Sequence, residues 1–95
     1  VAIGSSVNSQ HAKAEAADFE VLGVDNAEVA DWVKMNCETD QLILEFYTPG
    51  EPNSGWIHAS YVQFQPRAQY LRAYRDKETR KTKYLPITGK AVDLT

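Results

Sequence analysis

The stretch Gln41-Leu42-Ile43-Leu44-Glu45-Phe46-Tyr47 carries the strongest strand pattern in the chain. Its even-numbered residues form one wholly apolar face, and its odd-numbered residues, Glu45 among them, form the other. A loop dense in turn formers follows over residues 48–55, and strand character resumes over residues 56–64. A short connection of this kind predicts two antiparallel neighbours, with Glu45 close to His58 on one shared face.

One helix is predicted over residues 26–37. Asp25, followed three residues later by Glu28, resembles a capping box with aspartate as the cap. Apolar residues then recur at helical spacing, and Trp32 is predicted to belong to the buried stripe that they form.

Further strands are predicted from weaker patterns over residues 16–22, 68–74 and 82–87. In the first of these, Asp18 lies on the face opposite Phe19. Together with the helix, the strands predict an α+β fold, a small antiparallel sheet with a flanking helix.

Composition limits the class of protein. The 95 residues suffice for one small domain with a single core. No apolar run approaches the roughly 20 residues of a membrane-spanning helix, and residues 1–6 do not resemble a secretion signal. Cys37 is the only cysteine, so no intramolecular disulfide can form, and it is predicted to be a small buried hydrophobe.

Charge is divided unevenly along the chain. Residues 1–66 hold ten acidic and two basic residues, whereas residues 67–83 hold seven basic and two acidic ones. The basic segment is interpreted first as a solvated strand edge and second as a surface that attracts an anionic polymer such as a bacterial cell wall. The overall net charge of -3 argues against a nucleic-acid-binding surface.

Three side chains are candidate metal ligands: His11, Asp18 and His58. Two imidazoles and a carboxylate form a set that zinc accepts in tetrahedral catalytic sites, where water takes the fourth position. This set points to a metallohydrolase.

The segments around these residues also resemble a known family. Ser9–Asp18 follows the pattern S-x-H-x-x-G-x-A-x-D, and Trp56–Ser60 follows the pattern W-x-H-x-S. Both patterns resemble the zinc D-alanyl-D-alanine carboxypeptidase family, which shares its fold with the hedgehog signalling domain and with phage L-alanyl-D-glutamate endolysins. The resemblance covers roughly residues 4–62, and it departs at Ala14, where the family usually has glycine.

The resemblance implies a zinc site and a general base. Zinc would be bound by His11, Asp18 and His58. In the hedgehog branch the glutamate lies on the strand before the last histidine, and this chain repeats that pattern at Glu45. Glu45 is therefore the predicted base, with Glu51 in the following loop as its rival.

The expected function is that of a zinc peptidase acting on peptidoglycan stem peptides, as a carboxypeptidase or an endolysin-type endopeptidase. The alternative is a catalytically inactive, zinc-stabilised module that binds the cell wall or a protein. Family members usually carry an upstream helical portion with a substrate-binding arginine, so residues 1–95 are expected to be one domain without that portion. The resemblance also implies action at the bacterial cell wall or periplasm, a phage gene as one source, and a monomer.

Overall fold

The computed structural model describes residues 15–94 of the chain. Their elements are β1 Glu15–Phe19, α1 Asn26–Asn36, β2 Gln41–Glu45, β3 Trp56–Tyr61, β4 Gln69–Arg75, β5 Thr82–Pro86 and a 3-10 helix Ala91–Asp93. The predicted α+β class is confirmed, and each predicted element is present with ends shifted by at most a few residues. Within residues 15–94, no helix is both long and apolar enough to cross a membrane.

The strands form one sheet in the order β1-β3-β2-β4-β5. Neighbouring strands are antiparallel except for β2 and β4, which run parallel. The prediction of an antiparallel sheet is therefore wrong for this pair, and the sheet is mixed. The segment 62–68 passes the beginning of β2 and reaches the edge of β2 that faces away from β3. β4 starts there, beside the first residue of β2, and therefore runs in the same direction as β2. An alternating pattern predicts a strand but does not predict which other strands it pairs with.

The core lies between α1 and one face of the sheet. It is built from one tyrosine and ten small or branched apolar residues, all at most 7% exposed: Ala27, Val29, Ala30, Val33, Leu42, Leu44, Ile57, Ala59, Tyr70, Ile87 and Ala91. Trp32, predicted to be buried, is instead 62% exposed. The buried side of α1 is centred on its alanines, which bring the helix close to the sheet and leave the indole at the margin. Cys37 is half-buried beside this core.

Asp31 attaches the end of the described chain to α1. Its carboxylate accepts hydrogen bonds from the Tyr70 hydroxyl at 2.7 Å and from the backbone N–H groups of Ala91 and Val92 at 2.6 and 3.1 Å. These bonds link α1, β4 and the 3-10 helix, and they hold the 3-10 helix against α1 on the covered side of the sheet.

β2 ends at Glu45 because Phe46 adopts a φ of 54°, which interrupts the strand. The alternation predicts Phe46 on the same face as Leu42 and Leu44, but its ring packs 5.5 Å from that of Trp56. The next residue, Tyr47, donates a hydrogen bond from its hydroxyl to Asp25 Oδ1 at 2.9 Å. Asp25 also caps α1 by accepting from the N–H of Ala27 at 2.8 Å. The chain after Glu45 is thus tied to both sides of the sheet.

Candidate metal centre

The position of β3 between β1 and β2 brings three chemically active side chains together. His58 lies directly opposite Asp18 on β1 and opposite Ile43 on β2, and Glu45 lies opposite Trp56. Opposed residues, and residues two apart in one strand, share a face. Asp18, Glu45 and His58 therefore all lie on the face of the sheet that α1 does not cover, here called the open face.

The three side chains are close enough to hold one ion. Asp18 Oδ1 and His58 Nδ1 are 2.7 Å apart, which is hydrogen-bond distance. One ligand atom from each of Asp18, Glu45 and His58 lies within 4.8 Å of the other two. The Asp18 side chain is 62% exposed and that of His58 is 27% exposed, so a dissolved ion has access to both.

This donor set fits zinc. Zinc binds imidazole nitrogen and carboxylate oxygen at about 2.0–2.2 Å, and tetrahedral geometry then separates two ligand atoms by about 3.3 Å. The Asp18–His58 pair, now at 2.7 Å, needs to open by about 0.6 Å and to give up the proton of its hydrogen bond. Zinc and a proton therefore compete for this pair, as is usual for histidine ligands.

The structure brings together two of the three predicted zinc ligands, Asp18 and His58, and the predicted base, Glu45. The third predicted ligand, His11, lies outside the described residues. Among residues 15–94, the rival Glu51 is not part of the group; it is exposed, in the turn that follows β2. The distances suit Glu45 either as a base beside the ion or as a ligand to it, so these roles remain predictions.

Two residues that the sequence analysis missed hold the chain beside Glu45. Gly55 has a φ of 67°, and a Cβ at this position would collide with the carbonyl oxygen of Glu45, so only glycine permits this approach. The Asn26 side chain, in a residue only 1% exposed, donates to the carbonyl oxygens of Ser54 and Gly55 at 2.9 and 3.2 Å. A glycine in a turn-rich loop was a visible signal. Asparagine at the start of a helix is too common for Asn26 to have been recognised in the same way.

The beginning of β2 is held by an ion pair. Arg67 donates to the Asp40 carboxylate from Nη2 at 2.7 Å, from Nε at 3.0 Å and from its backbone N–H at 2.9 Å. Hydrogen bonds from the Arg67 side chain, and then from its backbone, lower the pKa of Asp40 to about 2. The Ser60 hydroxyl also accepts from the N–H of Gln41 at 3.0 Å. β2 is therefore anchored at both ends, which determines where Glu45 lies relative to His58.

The family model described as peptidase M15 matches residues 1–60, a range that includes both histidines, Asp18 and Glu45. The match confirms the resemblance to zinc carboxypeptidases at the level of the family. No curated protein and no solved structure matches the chain significantly.

Proposed function

The chain belongs to the peptidase M15 family, and we propose that it is a zinc-dependent peptidase that hydrolyses amide bonds in peptidoglycan stem peptides. The observation that carries the proposal is the meeting of Asp18, Glu45 and His58 on the open face. An exposed cluster with this donor set suits a catalytic ion that must also reach a substrate.

In this proposal His11, Asp18 and His58 would hold the ion. Bound zinc supplies a Lewis acid for the scissile carbonyl oxygen and lowers the pKa of water to about 7. Asp18 and His58 would contribute a carboxylate oxygen and an imidazole nitrogen. Their adjacent strands keep the two donor atoms in register.

Glu45 moves the proton. Its carboxylate takes a proton from the attacking water while the water oxygen bonds to the carbonyl carbon, and it then delivers that proton to the amine nitrogen as the C–N bond breaks. The close approach of the Gly55 and Glu45 backbones, together with the pairing of Glu45 opposite Trp56, holds the part of β2 from which the carboxylate extends.

The proposed substrate sets the place of action. Stem peptides are found in the bacterial cell wall and periplasm, and a bacteriophage lysis enzyme acts on the same polymer. A monomer suffices, because one chain supplies all the proposed site residues.

The test is mass spectrometry of the fragments released from purified bacterial peptidoglycan by the zinc-loaded protein. Release of D-alanine or of stem peptides is expected, and the masses identify the bond that is cut. The Glu45→Gln variant and the chelator-treated parent serve as controls and should release neither. If the zinc-loaded parent releases nothing, the peptidase proposal is wrong, and the zinc-stabilised binding module becomes the better reading.

A further inference from the structure

The open face continues from the metal cluster into a shallow cavity of about 460 Å³. Its lining combines amide, apolar, aromatic and cationic side chains: Gln41, Ile43, Arg67, Gln69, Leu71 and Tyr84. Ile43 connects the two sites, because it lies opposite His58 on one side and opposite Leu71 on the other. The cavity therefore begins about 4.8 Å, one strand spacing, from His58.

On the basis of the function proposed above, we propose that this cavity is a substrate subsite for the part of the stem peptide remote from the scissile bond. Arg67 at its rim pairs with a free carboxylate of that peptide. The volume lies in the range usual for ligand sites, as does the mixture of an apolar floor with a few polar groups.

The two glutamines suit a peptide backbone. Gln41 donates from Nε2 to Gln69 Oε1 at 2.8 Å, which fixes both amide planes. Gln41 Oε1 remains as an acceptor and Gln69 Nε2 as a donor, which are the partners that a peptide N–H and C=O require. Ile43 and Leu71 form an apolar floor, and the half-exposed ring of Tyr84 offers a wall for an aliphatic side chain.

Arg67 suits a carboxylate. Asp40 takes two of the five N–H donors of its guanidinium, from Nε and Nη2, which leaves three. The Arg67 side chain is 56% exposed, whereas that of Asp40 is 7% exposed. The ion pair therefore holds the guanidinium in place while the nitrogen atoms that face away from Asp40 are open to solvent. A fixed guanidinium of this kind recognises a second carboxylate without losing further rotamer freedom.

The distance from the metal cluster selects which carboxylate binds. Asp40 precedes Ile43 by three residues, or about 10 Å along the strand, and Ile43 is level with His58. An extended peptide covers about 3.3–3.6 Å per residue, so the carboxylate that reaches Arg67 lies about three residues from the scissile bond. The carboxylate next to the scissile bond is too near. The subsite thus favours stem peptides of four or more residues over dipeptides.

The probe is the stem pentapeptide L-Ala-D-Glu-L-Lys-D-Ala-D-Ala, used with both carboxylates free and with each one amidated in turn. Amidating the carboxylate farther from the bond that is cut should raise KM about tenfold, because a charge-assisted pair is lost. The Arg67→Lys variant, which keeps the charge beside Asp40, should reduce this difference. Zinc-loaded Glu45→Gln protein should show the same preference in calorimetric Kd, without turnover.

The cavity itself is tested with Gln69→Ala and Tyr84→Ala, both exposed and both expected to raise KM several-fold with kcat little changed. Leu85→Ala is the matched control, since Leu85 is similarly exposed but lies opposite Arg72 on the other face. If Tyr84→Ala and Leu85→Ala have equal KM values, or if remote amidation has no effect, the subsite is overturned while the peptidase stands. If the zinc-loaded parent cleaves neither the pentapeptide nor peptidoglycan, both proposals are overturned.

Discussion

The two faces of the sheet differ in what covers them and in what they carry. On the face against α1, Leu42, Leu44, Ile57 and Ala59 are completely buried. On the open face, the Asp18 and His58 side chains are 62% and 27% exposed. Consecutive residues of one strand alternate between these faces. A residue that stabilises the core is therefore followed in sequence by one that belongs to the candidate site. Leu44 and Glu45 are the clearest such pair.

Replacing Glu45 with Gln should have the largest effect on the open face. The amide cannot accept the proton of the attacking water, and loss of a general base typically lowers kcat about 10²- to 10⁴-fold. Steady-state kinetics with a stem peptide measures the loss, with Glu51→Gln as the matched control that should keep near-parental activity. Zinc content distinguishes the two possible roles of Glu45: retained zinc indicates a base, whereas lost zinc indicates a ligand.

Replacing Leu44 with Ala should have the largest effect on the covered face. Its side chain is fully buried in the core, so truncation should lower the free energy of unfolding by about 2–5 kcal/mol. Urea denaturation measures the change. Leu22→Ala is the control, because Leu22 is 99% exposed and its loss should cost at most about 0.5 kcal/mol. Equal costs for the two leucines would contradict the assignment of the core.

Replacing Gly55 with Ala should affect both faces at once. The positive φ costs about 1–3 kcal/mol of stability, and the collision with the Glu45 carbonyl also displaces the end of β2. Gly50→Ala separates these effects, since Gly50 has a φ of 90° but a Cβ there meets nothing within 4 Å. Both variants should lose stability in urea. Only Gly55→Ala should also lose peptidase activity, and equal activities would show that this contact does not position Glu45.

The smallest effect is expected from acid. The pKa of Asp40 is about 2 in the folded protein, against an ordinary value of 3.8, so the unfolded chain takes up this proton at higher pH. The stabilisation from Asp40 is therefore present above about pH 4 and is lost as the pH falls towards 2. Unfolding free energies measured from pH 6 to pH 2 should fall less steeply for Asp40→Asn than for the parent. The exposed Glu38→Gln variant should follow the parent, and parallel profiles for Asp40→Asn would contradict this role.

Much of the fold could be predicted because its signals are local. The alternation in β2 and β3 and the cap at Asp25 depend on residues close together in sequence, and each predicted element is present. The approach of Glu45 to His58 also followed from one local feature, the short connection between two strands. The exposure of Trp32 could not be predicted in this way. Helical spacing shows which residues share a side of the helix, but not how closely that side packs against the sheet.

The sequence by itself determined the strands, the helix and the candidate residues Asp18, Glu45 and His58, because side-chain alternation and family motifs are written along the chain. Only the tertiary structure decided that β4 pairs parallel to β2, that Asp40 pairs with Arg67, and that a cavity opens beside Ile43. Each of these joins residues more than twenty positions apart in the chain. Such contacts depend on which strand edges remain free once the core has formed, and no local pattern records that choice.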